Sequence, residues 1–193
     1  MPYTELAKNL MLDALKGTGG ITHVGLLQAD AGLTGLTSSG DTITKASHGY
    51  SVGDIVVFSA LTGGAGLVAG DVYFVVNVPS SSTFKVGTKP GGTAVTPSSN
   101  LTAGTVTRYV EISGGSPAYT RKAIAYSAAA GGVADDSTNG AILDVPGGAN
   151  VDAVGEWSAL TAGTLLVFAT VTREPFAAQG TYTVTDSKND LNR

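Results

Sequence analysis

The chain contains no cysteine. Disulfide staples and thiolate metal sites are thereby excluded, and the redox compartment stays open. Charge is also scarce: Asp, Glu, Lys and Arg make up 13% of the residues, about half the usual share. The net charge of -4 offers no basic footprint for a nucleic-acid partner. The eleven basic residues are scattered, with Arg121-Lys122 as the close pair. Long apolar runs are missing too. Residues 55–70 form a conspicuous uncharged stretch, but glycines at 63, 64, 66 and 70 break it, and it is too short to span a bilayer. No membrane insertion is expected. Glu5, Lys8 and Asp13 interrupt the N-terminal apolar residues, a pattern that predicts a soluble chain without an export signal.

What is present is β chemistry. Twenty-seven glycines accompany a hydrophobic fraction of 42%, which is not the composition of a disordered chain. One helix is predicted over 4–16, with Thr4 as N-cap, Glu5 and Lys16 suiting the two helix ends, and Gly17 as the stop. Leu6, Leu10, Met11, Ala14 and Leu15 form its apolar side, which must dock on its own sheet or on a neighbouring subunit. Beyond it the periodicity changes to two. A first strand covers 21–28, and short strands at 42–45, 54–59, 71–78, 83–86, 93–96 and 105–108 are punctuated by Gly, Pro and Ser turns. Strands at 119–127, 141–145, 154–158, 165–172 and 181–185 follow. Residues 165–169 are apolar on both faces, which predicts a central, doubly covered strand. A phrase occurs twice, as Val24-Gly25-Leu26-Leu27 and as Val154-Gly155-Glu156-Trp157, on either side of the Gly/Ser/Thr-rich middle. The expected fold is all-β: an antiparallel β-sandwich scaffold over 1–37 and 109–193, with a small β-barrel-like module inserted at 38–108.

The pool of reactive groups is small. His23 lies within an apolar strand and reads as a core or subunit-contact residue. His48 with Ser51 and Asp54 has the residue types of a triad, but they crowd into one turn without a strand-to-helix elbow. The acidic pairs Asp135-Asp136 and Asp186, Asp190 lack calcium-loop spacing. The glycine runs 63–66 and 91–92 precede no helix and so hold no phosphate. No residue is assigned to catalysis, to a cofactor or to a metal, and the chain is expected not to be an enzyme. Trp157 is read either as an anchor for a ligand or partner or as packing over the mouth of the sandwich. Tyr50, Tyr73, Phe84 and Trp157 would make the stacking platform of a carbohydrate-binding module, the alternative of another class.

The phrase Thr22-His23-Val24-Gly25-Leu26-Leu27-Gln28-Ala29-Asp30-Ala31-Gly32 resembles the opening of small virion proteins of tailed bacteriophages. Tyr119-Thr120-Arg121-Lys122-Ala123-Ile124-Ala125-Tyr126, Val154-Gly155-Glu156-Trp157 and Leu165-Leu166-Val167-Phe168 follow in the order of that group, so the likeness spans about 20–35 and 115–185. The middle, with His48-Gly49-Tyr50-Ser51-Val52-Gly53-Asp54, Ala69-Gly70-Asp71-Val72-Tyr73-Phe74 and Ser82-Thr83-Phe84-Lys85-Val86, is similar to repeats of long tail fibres. Glu156 departs from the group's usual apolar residue, and the insertion occupies what would be a loop. The resemblance implies a non-enzymatic virion subunit of a tail or fibre appendage, with a capsid (head) decoration protein as the alternative. It implies a homo-oligomer that contacts other virion proteins, with host-surface glycan as a further partner, and it transfers no site residues.

Overall fold

A computed structural model describes residues 4–16, 19–138, 140–185 and 188–190. Helix α1 (Glu5–Ala14) and strand β1 (His23–Ala29) come first. The middle holds β2 (Leu33–Thr34), β3 (Thr37–Ser39), β4 (Thr42–Thr44), β5 (Ile55–Gly63), β6 (Val72–Ser80), β7 (Thr83–Gly87) and β8 (Leu101–Glu111). Then come β9 (Lys122–Ala123), β10 (Val133–Asp135), β11 (Ala141–Val145), β12 (Asn150–Trp157), β13 (Leu165–Pro175), β14 (Gly180–Val184) and β15 (Lys188–Asp190). The fold is all-β and sandwich-like, with α1 the single helix among the described residues. The chain forms two compact units, Met1–Gln28 with Glu111–Arg193, and Ala29–Val110. The first unit therefore stops at Gln28 and not at residue 37. The reason is pairing: Leu33 lies opposite Val106, and Thr37 opposite Thr44.

In the first unit, β13, β12 and β1 run antiparallel in that order, and β9 adds to β1. A second, two-stranded sheet pairs β11 with β14. Val24, Leu26, Leu143, Val145, Val151 and Val184 are buried together as the core of this unit. Burying one apolar face of each sheet is what stabilises such layers. Of the expected strand over 119–127, only Lys122–Ala123 is strand, with a single bridge from Tyr126 to Asp136.

The repeated phrase has a direct structural meaning. Its two copies pair with each other across β1 and β12: Val24 faces Glu156, Gly25 faces Gly155, and His23 faces Trp157. Residues two apart on a strand share a face, so the Trp157 ring lies over the paired glycines and is 3% exposed. A Cβ at Gly155 would sit 2.5 Å from Cη2 of that ring. A Cβ at Gly25 would sit 2.9 Å from Trp157 Cζ3 and 2.5 Å from the Tyr119 hydroxyl. The glycines are a slot for an indole.

Residues 165–169 were expected at the centre of a sheet, covered on both sides. Instead β13 is the terminal strand of its sheet, pairing with β12 alone among the described strands, and none of its residues is buried. Its apolar alternation has another cause. Val167, Ala169 and Val171 share one face and line a cleft against β14, while Leu165 approaches the slot beside Gly155.

In the second unit the antiparallel order is β8-β5-β6-β7-β4-β3. The ends of this sheet meet: β2 pairs with β8, and the Leu101 N–H donates to Ser38 Oγ of β3 at 2.8 Å. The sheet thus curls into a small barrel-like body around Leu36, Ile43, Val56, Phe58, Val75, Phe84, Leu101 and Val106.

Helix α1 is capped as expected, with Thr4 Oγ1 accepting from the Ala7 N–H at 3.3 Å. Of the two dockings left open for its apolar side, only part is met on its own body. Asn9 Oδ1 accepts from the Gly132 N–H at 2.8 Å, and Asp13 Oδ1 accepts from the Ala129 N–H at 3.0 Å. Leu12 is buried, but Leu6 is 70% and Leu10 61% exposed, with Met11 also exposed. Loop N–H groups need acceptors, and the helix supplies them from two residues four apart. That turns the Leu6–Leu10 stripe outward.

Gly25→Ala and Gly155→Ala should each cost roughly 1–3 kcal/mol, the usual range for overpacking, read as a lower melting temperature by circular dichroism. In a Trp157→Leu background Gly155→Ala should cost less, because the ring it strikes is gone, whereas Gly25→Ala still meets the Tyr119 hydroxyl. Equal costs of Gly155→Ala in both backgrounds would mean that this glycine serves the backbone and not the indole.

Candidate functional site

The triad residue types do not assemble. His48 is buried, its Nδ1 accepts from the Tyr50 N–H at 3.0 Å, and its Nε2 donates to the Ser80 carbonyl at 3.1 Å. Both ring nitrogens are thus committed to backbone. The imidazole packs between Tyr50 and Phe84, with ring centroids 5.3 and 5.1 Å away. Asp54 Oδ2 accepts from the Ser51 N–H at 2.9 Å and from Arg108 at 3.2 Å. Arg108 also donates to Asp30 through Nε at 2.8 Å and to the Gly49 carbonyl at 3.1 Å. These contacts clamp the 49–54 turn onto β8 and leave no nucleophile–base pair.

Tyr50 stacks edge-on against Phe84 at 5.1 Å. Burial pushes its phenol up to about 12, against the opposing field of the Arg108 guanidinium. Tyr73 pairs with Phe58 at 5.5 Å and accepts the Val68 N–H at 2.9 Å. Tyr50, Tyr73, Phe84 and Trp157 are all buried, so they form no stacking platform for a sugar. Strand alternation puts Tyr73 of β6 and Phe84 of β7 inward, the turn before β5 buries Tyr50, and Trp157 belongs to the other unit.

The acidic pairs separate as well. Asp135 is exposed, whereas Asp136 is buried and accepts from the N–H groups of Thr138 at 2.8 Å and Gly140 at 2.9 Å. That is a turn-closing carboxylate. Asp186 lies outside the described residues, and Asp190 sits in β15 opposite Val133. Among the described residues no group of three His, Asp or Glu side chains could hold a metal ion.

Two arrangements in the first unit gather polar groups, and spacing in the sequence pointed to neither. At the slot, Arg121 is held to Glu111 through Nε–Oε1 and Nη2–Oε2, both 2.7 Å, and donates to the Ala159 carbonyl at 2.8 Å. Its guanidinium lies 4.2 Å from the Trp157 ring centroid. Tyr119 Oη accepts from the Leu26 N–H at 2.7 Å and donates to Glu111 at 3.2 Å. Burial raises its pKa, with the Glu111 carboxylate adding to the effect. His23 faces the same corner: burial lowers its pKa first, then the Arg121 charge. Bidentate pairing and stacking are what a guanidinium, and not an ammonium, can provide together. The Glu111–Arg121 partnership spans a turn closed by the Tyr119 N–H on the Gly114 carbonyl at 2.7 Å, and no motif records it.

The second arrangement is a cleft of about 340 Å³ between β13 and β14, walled by Val154, Val167, Ala169, Val171, Tyr182 and Val184. Glu156 lines it, buried, accepting from the Tyr126 hydroxyl and from Asn189 Nδ2 at 3.3 Å. Position 156 thus holds a hydrogen-bonded carboxylate at the edge of the cleft. No known protein family, curated protein or solved structure matches this chain.

Tyr50 gives the pH dependence a sign. An unfolded tyrosine ionises near 10, while the folded phenol keeps its proton until about 12. The folded state therefore binds the proton more tightly. The contribution is full below about 10 and is lost as pH rises from there through about 12. Urea midpoints should fall over that window, and Tyr50→Phe should flatten part of the fall. An unchanged slope in the variant would remove Tyr50 as its source.

Proposed function

We propose that this chain is a non-enzymatic structural protein of a bacteriophage virion, a subunit of a tail or fibre appendage that displays the 29–110 unit. The residues that could have supplied chemistry serve the fold: His48 bonds backbone, Asp54 and Arg108 clamp a turn, and Glu111 and Arg121 cover a tryptophan. The observation that carries the reading is helix α1. Asn9, Asp13 and the buried Leu12 fasten it to its own body, while Leu6 and Leu10 face away from that body. An amphipathic helix in that orientation is suited to attachment, because its apolar side is available only to another polypeptide. The low content of charge acts in the same direction, since flat β surfaces with few charges pack against neighbours at little desolvation cost.

Mass spectrometry of separated capsids and tails from purified particles tests this reading. The protein is expected in the tail fraction at a stoichiometry set by the appendage's symmetry. Recovery with capsids would favour the decoration alternative. Recovery in neither fraction would sink the virion reading.

A further inference from the structure

The cleft between β13 and β14 joins two chemistries. Four valines, Ala169 and Tyr182 wall it, and Glu156 lines it with 3% of its surface exposed. Thr183, Thr185 and Asn189 complete the lining, so Glu156 is its one charged member among the described residues. The Glu156 carboxylate accepts from the Tyr126 hydroxyl at Oε1 and from Asn189 Nδ2 at Oε2. A carboxylate only accepts hydrogen bonds, so it selects an occupant that donates. A charge-assisted bond to it is roughly twice as strong as a neutral one. Negative charge acts on the wall as well: burial and, second, the Glu174 carboxylate of β13 push the Tyr182 phenol up. Arg173, beside Glu174, is held by Asp152 at 2.7 Å. A metal ion is a poor fit, since no group of three His, Asp or Glu side chains gathers here among the described residues.

We propose that this cleft binds a primary ammonium carried on an unbranched aliphatic stem, with the stem against the valines and the ammonium on Glu156. This is a ligand site, and it stands apart from the virion reading. At about 340 Å³ the cleft lies at the small end of ligand pockets, above the roughly 150 Å³ that holds a benzene-sized group. A short stem matches that volume. The head group follows from the geometry at the carboxylate. Each Glu156 oxygen already accepts one bond, which suits the point charge of an ammonium better than the two-bond fork of a guanidinium. The stem follows from the walls, because each methylene placed against them leaves water. A free alkylamine and a lysine side chain share this chemistry.

Titration of the full chain with n-propyl-, n-butyl- and n-pentylammonium, followed through backbone amide chemical shifts, tests the site. The shifts should centre on β12, β13 and β14, and each added methylene should tighten binding roughly three- to four-fold. n-Pentylammonium should bind roughly ten-fold or more tightly than 1-pentanol or pentanoate, as a hydrogen bond to a charged group requires. Glu156→Gln should erase that preference while the alcohol still binds. Ala169→Phe, at an exposed position of the terminal strand, should block every stem, with melting curves showing that both variants are folded. Nα-acetyl-lysine methylamide separates the sources. Binding equal to that of n-butylammonium assigns the site to lysine side chains, and a large loss assigns it to free amines. No binding of n-pentylammonium, or equal binding of the ammonium, alcohol and carboxylate, would overturn the inference. So would undiminished ammonium binding by Glu156→Gln, or shifts centred elsewhere. The comparison of head groups uses the unmodified chain, so it decides the matter even where a variant fails to fold.

Discussion

The placement of one indole governs the first unit. Trp157 lies across two glycines that face each other on adjacent strands, and the Arg121 guanidinium closes over the ring. Each part constrains the next. A strand pair with a Cβ at either position would hold the ring off the sheet. With the ring displaced, Arg121 would lose its stacking surface, and the paired Glu111 carboxylate would lose the position that also receives the Tyr119 hydroxyl. Tyr119 in turn satisfies the Leu26 N–H. A buried network of this kind is stable only when every member is satisfied, and no buried side-chain polar atom here lacks a partner among the described residues.

The second unit solves the same problem without a slot. Its sheet curls until β2 and β3 reach β8, and the aromatic trio of His48, Tyr50 and Phe84 fills one part of the interior. The histidine is tolerated there because both nitrogens have backbone partners, which removes the cost of burying a polar ring. The residues that invite a catalytic reading are thus the ones that polar burial requires. Chemistry and packing compete for the same side chains, and in this unit packing takes them.

Much of the fold was legible in the residues. Alternation with regular turn signals pointed to an all-β chain, and the Thr4 cap and first strand lie where the pattern placed them. The doubled Val-Gly phrase announced a relation between two segments, but not that they pair or that the glycines accommodate Trp157, because local periodicity carries no information about which strands are neighbours. Residues 165–169 misled for a related reason. A two-sided apolar strand is the signal of a central position, yet β13 has one face on a cleft and lies at its sheet's edge. The Glu111–Arg121 pair was invisible because a turn, and not a spacing rule, brings its members together.

The orientation of α1 is set by two demands that act on one helix, acceptors for a loop and burial for its leucines. Fastening the helix by Asn9 and Asp13 makes two hydrogen bonds to backbone N–H groups, a net gain of roughly 0.5–1.5 kcal/mol each. Burying Leu6 and Leu10 would be worth about 1.5–3 kcal/mol each. The docking that is adopted also buries Leu12, so it combines an apolar contact with acceptors for the Ala129 and Gly132 N–H groups of the loop. Leu12 is buried by this docking, and the contribution of Leu6 and Leu10 is left unrealised. The helix thus divides its apolar side, with Leu12 placed inward and Leu6 and Leu10 outward, because acceptors four residues apart and the leucines at 6 and 10 cannot all face the same loop.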